Sequence, residues 1–327
     1  MPRRVDVSDL SPLLRSRQDL LAHDWTERAI ERAVREGRLR PIRRGWYLAT
    51  DDWSGLWPEG AHLAHVLAVA RDSRGGAVMS HLSAAVLWGL PVYRAPLQRV
   101  HMTVPPASRI SSGPDVWRHT APLAAGDVVM RHGIRCTSLE RTVFDVVRTT
   151  RSETAVACAD AAERAMTLRG REWDLDEKES WRRALADRVD AATGARGIRQ
   201  ARRILALADG RAQLPGESVS RLQLVRLGFA VPDLQVRVPG PDGTDYFVDF
   251  ALRDVRALGE FDGEGKYTDE ALRRGMSAEE VLLAEKRRED WIRGVTQWRL
   301  VRWGDEHCAT PAKLAARLRS FGVVPPR

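Results

Sequence analysis

Lysine is scarce in this chain of 327 residues, although the chain is basic. Its lysines are Lys178, Lys266, Lys286 and Lys313, among 52 lysine and arginine residues in all. The net charge is +8 and the isoelectric point is near 10.0, a balance that favours nucleic-acid partners. Because the basic residues are nearly all arginine, the bias is also typical of a GC-rich genome. The charge alone is therefore weak evidence, and each lysine is more informative.

Cysteine and long apolar runs are scarce as well. Cys136, Cys158 and Cys308 are scattered without metal-ligand spacing, which excludes a disulfide framework and indicates a reducing compartment. No apolar run approaches the roughly 20 residues of a membrane span. The N-terminus, MPRRVDVSDL, has no signal-peptide core. No Walker loop appears either. These absences predict a cytoplasmic protein with no membrane partner.

The length and the pattern of elements predict a multi-domain α+β protein. Hydrophobic residues make up 43% and charged residues 29%, values that are typical of a globular chain, and 327 residues suffice for several domains. Four segments are predicted. Residues 1–50 form a winged helix and 51–150 a mixed α+β region. Residues 151–212 form a helical connector, and 213–327 a small mixed α/β sheet with flanking helices.

The N-terminal segment carries a basic helix and a basic turn. A helix is expected over Ser11–Leu21, and a second one, opened by Asp24 as a capping residue, runs to about Glu36. An arginine stripe lies on the second helix, and a two-stranded wing adds further arginines, which suits contacts to DNA. The stripe is Arg28, Arg32 and Arg35, and the wing has Arg38, Arg40, Arg43 and Arg44. The alternative is a solvated helix whose arginines pair with neighbouring glutamates.

Residues Leu20 to Tyr47 resemble the N-terminal domain of AbiEi-type antitoxins. The similarity is carried by Glu36-Gly37-Arg38-Leu39 and Arg44-Gly45-Trp46-Tyr47. Ser80-His81 and Arg141-Thr142 with Asp145 resemble the central part of the same family. The resemblance implies promoter DNA as a partner of the winged helix. It also implies a cognate toxin as a possible partner, as in type IV toxin–antitoxin systems.

The histidines of the middle segment do not predict a metal site. His81, His101, His119 and His132 lie on separate predicted elements at no spacing that is typical of metal ligands. We therefore expect His81 to pack at the start of a helix.

Acidic residues are concentrated in the stretch FVDFALRDVRALGEFDGEGKY, residues 247–267. Two strand-like runs pair as a hairpin in this prediction, which places Asp249 near Glu260 and Asp262 on one face. Three carboxylates on one face repel each other unless a cation binds, and oxygen ligands favour Mg²⁺ or Mn²⁺. Such an ion activates water against a phosphodiester. The alternative is a solvated hairpin whose acids face water.

Residues 214–303 resemble the very-short-patch-repair-like branch of the PD-(D/E)XK nucleases. The similarity rests on Glu217, Asp249, Glu260-Phe261-Asp262-Gly263, Lys266-Tyr267, Lys286-Arg287-Arg288-Glu289 and Arg299-Leu300-Val301-Arg302-Trp303. It implies a restriction-endonuclease-like α/β domain in which Asp249 and Glu260 hold the metal, Glu217 assists and Asp262 is a further ligand. Asp262 stands where the simplest family pattern has lysine, so Lys266 or Lys286 would have to supply the ammonium group.

Three functions follow from these patterns, and the third is a toxin-binding protein whose middle region contacts a partner. The first is a DNA-binding protein with a metal-dependent endonuclease-like domain that hydrolyses phosphodiester bonds. The alternative is an AbiEi-like antitoxin or transcriptional regulator whose nuclease fold is degenerate. Intact metal carboxylates with a lysine close by favour the first, and recognition of a promoter without cleavage favours the second.

Overall fold

The computed structural model describes residues 5–73, 78–108, 111–263 and 277–326. The chain is a multi-domain α+β protein, as predicted, with four separate sheets among the described residues. No helix within these residues is long and apolar enough to cross a membrane.

The N-terminal segment has the helix and strand order of a winged helix. Its elements are α1 (Val7–Leu10), β1 (Arg15–Ser16), α2 (Arg17–Ala22), α3 (Glu27–Arg35), β2 (Leu39–Arg43), β3 (Trp46–Ala49) and α4 (Thr50–Ser54). The strands form one sheet in the order β1-β3-β2. The first predicted helix was placed too early, since the helix α2 begins at Arg17. The predicted cap was also wrong, because Thr26 rather than Asp24 accepts the N–H of Ala29 at the start of α3.

The middle segment wraps helices around a five-stranded sheet. Its elements are α5 (Pro58–Asp72), β4 (Val78–Met79), α6 (His81–Leu87), β5 (Val100–Val104), β6 (Val116–Thr120), β7 (Val128–Arg131), β8 (Ile134–Thr137) and α7 (Leu139–Thr149). The strand order is β6-β5-β4-β8-β7. The short strand β4, which the sequence pattern missed, pairs with both β5 and β8 and therefore sits at the centre of the sheet.

The segment predicted as a helical connector is mostly helical. It contains α8 (Ser152–Thr167), β9 (Leu168–Arg169), β10 (Glu172–Trp173), α9 (Leu175–Ala191) and α10 (Ile198–Leu207). The strands β9 and β10 form a small antiparallel hairpin within this segment, for which the pattern predicted helices alone.

The C-terminal segment is a four-stranded mixed sheet with helices on both faces. Its elements are α11 (Pro215–Arg226), β11 (Asp233–Pro239), β12 (Asp245–Leu252), β13 (Ala257–Asp262), α12 (Ala278–Thr296), β14 (Arg299–Gly304), α13 (Asp305–Cys308) and α14 (Pro311–Arg319). The strand order is β11-β12-β13-β14, with β13 and β14 parallel and the other neighbours antiparallel. The predicted pairing of β12 with β13 is confirmed, with Phe250 opposite Gly259.

A different helix packs against each face of this sheet. On one face, Ile292 of α12 is fully buried against Leu258 and Leu300. On the other face, Gly216 of α11 lies against the ring of Phe261, where a Cβ atom would collide with that ring. The absence of a side chain at residue 216 therefore brings Glu217, the next residue, close to the sheet.

The chain divides into two compact units. The first comprises Met1–Cys158 and Asp176–Leu205, and the second comprises Ala159–Leu175 and Ala206–Arg327. The helix α8 begins in the first unit and ends in the second. In the second unit, the buried Asp160 of α8 pairs with the buried Arg221 of α11 at 2.5 Å. The predicted division into four segments stays a prediction.

Candidate functional site

The arginines predicted to contact DNA differ in whether they form ion pairs with carboxylates of the chain. Arg28, Arg32 and Arg35 are exposed on α3, and none of the three makes an ion pair with another described residue. The glutamates expected to neutralise this stripe are partly engaged elsewhere, because Glu27 pairs with Arg17 at 2.5 Å and Glu36 with Arg38 at 2.7 Å. The stripe is therefore available to an external anion.

The wing offers fewer arginines for DNA contacts than its sequence suggests. Arg43 is partly buried and pairs with Asp72 and Asp115, each at 3.2 Å, so this residue stabilises the first unit internally. Arg38 is engaged by Glu36. Arg44 lies exposed in the turn between β2 and β3, next to Gly45, whose φ of +80° suits glycine. Arg44 is thus the predicted wing residue that is best placed to reach a partner.

In the second unit, Glu217 and Asp249 converge on one amide. Gln235 Nε2 donates to Glu217 Oε2 at 3.4 Å and to Asp249 Oδ1 at 3.3 Å, both at the long end of the hydrogen-bond range. The other Asp249 oxygen accepts the backbone N–H of Phe261 at 2.8 Å, and Glu217 Oε2 accepts that of Gln213 at 2.8 Å. Both carboxylates are buried, with Glu217 exposed by 1% and Asp249 by 9%.

Gln235 was not predicted as a site residue. It lies on β11 between the registered pairs Leu234–Phe250 and Val236–Val248, which places it across from Asp249. Its φ is +51°, a left-handed conformation that is costly for a residue other than glycine and often marks a functional site. No local sequence signal reveals this role, because it depends on strand pairing and on the backbone conformation.

Glu260 is occupied by two arginines. Arg288 from α12 pairs with Oε1 at 2.6 Å, and Arg302 from β14 pairs with Oε2 at 2.8 Å. Burial raises the pKa of Glu260 above its usual value, while the two arginines act in the opposite direction. Glu285 also contacts both guanidinium groups, so the arginines join two carboxylates.

The remaining predicted residues of the nuclease site are Asp262, Lys286 and Lys266. Asp262 is partly buried at the end of β13, and Lys286 is exposed on α12. Lys266 lies outside the described residues. Within the described ranges, no three carboxylates bring their ligand oxygens within 4.8 Å of one another, so Asp249, Glu260 and Asp262 do not form a cluster of that size.

Three histidines of the first unit do meet, contrary to the expectation from their spacing. Ligand nitrogens of His81, His101 and His119 all lie within 4.8 Å of one another. His119 Nε2 and His101 Nδ1 share a hydrogen bond of 3.0 Å, and the rings of His81 and His119 stack with centroids 3.7 Å apart. The fourth histidine, His132, is exposed in the turn between β7 and β8. Pairing of distant strands creates this cluster, which is why sequence spacing does not show it.

Comparison with known proteins yields no family assignment. No protein-family model matches the chain. The uncharacterized protein Rv2248 of Mycobacterium tuberculosis, and its counterpart MT2308 in a second strain, are 35% identical over 121 residues. The match covers 37% of this chain and 40% of the relative, well under two thirds of the relative's length. The crystal structure of the RV2827C protein from the same organism aligns over 72% of this chain and 86% of that one, with 14% identity. Its TM-score is 0.33, too low to indicate a common fold.

Proposed function

We propose that this chain is a DNA-binding protein whose N-terminal winged helix holds the duplex through α3. The observation that carries the proposal is the stripe of Arg28, Arg32 and Arg35, which is exposed and has no ion pair within the described residues. Surface arginines that lack internal partners are free to neutralise phosphates. The helix α3 directly precedes the wing and is the second helix of the pair α2–α3, the position from which a recognition helix contacts a groove.

Salt dependence tests this proposal. Replacing Arg28, Arg32 and Arg35 with glutamine removes about three phosphate contacts, so the slope of log affinity against log salt should become shallower by roughly 3. Binding of a labelled duplex, followed by fluorescence anisotropy between low and moderate salt, measures that slope. An unchanged slope would reject α3 as the DNA-contacting helix.

The helix α10 offers a matched control in the same unit. Arg199, Arg202 and Arg203 are also exposed on one helix, so their replacement with glutamine removes the same total charge. If the proposal holds, this variant keeps a slope close to that of the original protein. An equal loss in both variants would indicate that net charge rather than α3 determines binding.

For the second unit, we propose an endonuclease-like domain that requires Mg²⁺ or Mn²⁺. Glu217 and Asp249 fit a hard cation, since both are buried oxygen donors aimed at one point. The amide of Gln235 presents nitrogen to them, and a half-turn of that amide would present Oε1, a further oxygen ligand. When bound there, the ion would supply an activated water for phosphodiester hydrolysis. Phe261 N and Gln213 N orient the two carboxylates.

Glu260 supports a second candidate, an AbiEi-like antitoxin or transcriptional regulator with a degenerate nuclease fold. Both of its oxygens are engaged by Arg288 and Arg302, which take the place that a cation would need. Asp262 also stands where the nuclease pattern has lysine. A protein of this kind would bind promoter DNA and a cognate toxin in the cytoplasm, a compartment that suits its three buried cysteines, which form no disulfide.

Nicking of supercoiled plasmid distinguishes the two candidates. Metal-dependent nicking that stops with EDTA, and that is lost in Asp249→Asn and Glu260→Ala, supports the nuclease. The matched control is Asp245→Asn, an exposed acid on the same strand β12 that pairs with Arg237 and should leave nicking unchanged. Absence of nicking with intact DNA binding favours the regulator.

A further inference from the structure

The histidine cluster of the first unit is built from three neighbouring parts of the central sheet. His101 lies on β5 and His119 on the adjacent strand β6, where His119 is in register with Thr103. His81 follows the end of β4, on the other side of β5, and is the first residue of α6. The backbone N–H of Ser80 donates to the carbonyl of His101 at 3.0 Å, which fixes His81 beside that strand.

Supporting contacts orient the cluster. His81 has a φ of +50°, a left-handed conformation at the start of a helix, and its Nδ1 contacts Ser80 Oγ at 3.0 Å. Ser83 Oγ accepts the backbone N–H of His101 at 2.7 Å and contacts His62 Nε2 at 2.9 Å. Strained backbone and second layers of hydrogen bonds are typical of side chains that are held for a ligand.

The three imidazoles leave hydrogen-bonding capacity unused. They are largely buried, and one hydrogen bond joins His101 to His119. On the same face, the hydroxyl of Thr103 is fully buried and has no partner within the described chain. Buried polar groups rarely stay unpaired, so imidazole and hydroxyl groups held together in this way suit a polar ligand or a metal ion.

Nearby arginines do not make the site strongly positive. Arg141 pairs with Asp127 and Asp145, and Arg188 pairs with Asp127 and Glu140. Arg148 lies 3.8 Å from Asp145. Three of the nearby arginines thus face three carboxylates, which limits the positive charge that a cation meets, and Arg99 adds a further positive charge near His101.

We propose that His81, His101 and His119 bind one transition-metal ion of the zinc class. Imidazole nitrogen is a preferred donor for such ions, and three histidines leave a fourth position open for water or substrate. Zinc–nitrogen bonds of about 2.0–2.1 Å place neighbouring donors roughly 3.3 Å apart in a tetrahedral site. The 3.0 Å between His119 Nε2 and His101 Nδ1 needs only a slight opening.

Binding requires two local adjustments. The hydrogen bond between His101 and His119 means that one of these nitrogens carries a proton, so that ring must move its proton to its other nitrogen. His81 is stacked on His119, with 16° between the ring planes, and must rotate so that its nitrogen points at the shared ion. The cluster borders the surface at Trp117, which is 49% exposed and stacks on His119.

Metal content of the full chain tests the proposal directly. Protein that has been treated with chelator and dialysed against Zn²⁺ should retain one zinc per chain by mass spectrometry of the metal. Cobalt substitution should give the intense visible bands of a low-coordinate site, and X-ray absorption should show imidazole ligands. No retained zinc and no such cobalt bands in the unmodified protein would overturn the proposal, whatever the variants do.

Asparagine substitutions locate the site. His81 and His132 both have a φ of +50°, a conformation that asparagine tolerates, so His81→Asn and His132→Asn are matched in backbone cost. Zinc binding should weaken at least about a hundredfold in His81→Asn and His119→Asn, more than the loss of a supporting contact causes. It should be unchanged in His132→Asn.

The variant Asp249→Asn tests whether the acids of the second unit, rather than the histidines, bind the zinc. This variant should retain its zinc. Zinc that persists in both His81→Asn and His119→Asn, or that is lost in Asp249→Asn instead, would overturn the assignment. Far-ultraviolet circular dichroism of each metal-free variant checks that the chain is folded.

Discussion

The two units differ in the ionisable groups that they bury. The first holds His62, His81, His101 and His119 in the neutral form, because burial lowers the pKa of each ring. It also buries Asp127 and Asp145, which pair with Arg141. The second buries acids, and there Asp160 and Glu260 are each paired with arginine. A histidine can lose its charge at neutral pH and needs only hydrogen bonds, whereas a carboxylate usually needs a cation. The buried groups of the first unit are therefore tested by changing the pH, and those of the second by removing the arginine partner.

The largest expected effect is on the buried pair of the second unit. Arg221 and Asp160 are both 1% exposed, and Asp160 also accepts the backbone N–H of Asp209 at 2.8 Å. Arg221→Met leaves that carboxylate buried without its cation, so the free energy of unfolding should fall by about 3–5 kcal/mol. Urea unfolding measures the loss. As a control, Arg183→Met removes the exposed pair with Glu179, which should cost less than about 1 kcal/mol.

The acid sensitivity of the first unit should be the next largest effect. The pKa of His62 is lowered from 6.5 to about 4, chiefly by burial. Because the folded pKa lies below the unfolded one, the unfolded chain binds more protons between these values, and stability falls as the pH drops from about 6.5 to about 4. A shift of about 2.5 pKa units corresponds to roughly 3 kcal/mol for His62 alone.

Unfolding measured at several pH values separates the contribution of His62 to the free energy of unfolding from that of the other titrating groups. His62→Gln removes the titrating ring and should flatten the dependence of stability on pH, whatever its own cost in stability. The exposed His132, replaced with glutamine, should leave the pH dependence as it is. An equally steep dependence in His62→Gln would show that this ring does not titrate as its burial implies.

A smaller change in stability is expected at Gly216, which packs in the core of the second unit next to the site residue Glu217. A Cβ at residue 216 collides with the ring of Phe261, and Gly216→Ala should therefore destabilise the protein by about 1–3 kcal/mol. The same substitution at Gly294, in α12 with open space around it, should stabilise by about 0.5–1 kcal/mol. Melting temperatures that move in the same direction in the two variants would contradict this packing at the site.

The regular elements were largely predictable, and the errors share a cause. As predicted, residues 51–150 contain both strands and helices, residues 151–212 are mostly helical, and residues 213–327 form a mixed sheet with flanking helices. The strand β4 has two residues, too few for any alternation, and the hairpin β9–β10 is equally short. Such elements are stabilised by their neighbours in space, which a local pattern does not contain.

At the candidate sites, the sequence predicts which strands pair only where the two strands lie close along the chain. Asp249 and Glu260 are joined by a hairpin, and their strands do pair as expected. Gln235 reaches Asp249 through a left-handed backbone, and Arg302 reaches Glu260 from a later parallel strand. The three histidines meet through the order β6-β5-β4, which spacing along the chain does not encode.

The cap of α3 provides the smallest test, and it separates the sequence pattern from the structure. The pattern made Asp24 the cap, whereas the hydroxyl of Thr26 accepts the N–H of Ala29 at 3.2 Å. Thr26→Ala should cost about 1 kcal/mol, as should Thr310→Ala at the start of α14 in the second unit. Asp24 has a φ of +63°, which asparagine also tolerates, so Asp24→Asn should be nearly neutral. If Asp24→Asn instead destabilised the protein as much as Thr26→Ala, the charge of Asp24 at the positive end of α3, rather than the threonine hydroxyl, would be what stabilises this helix.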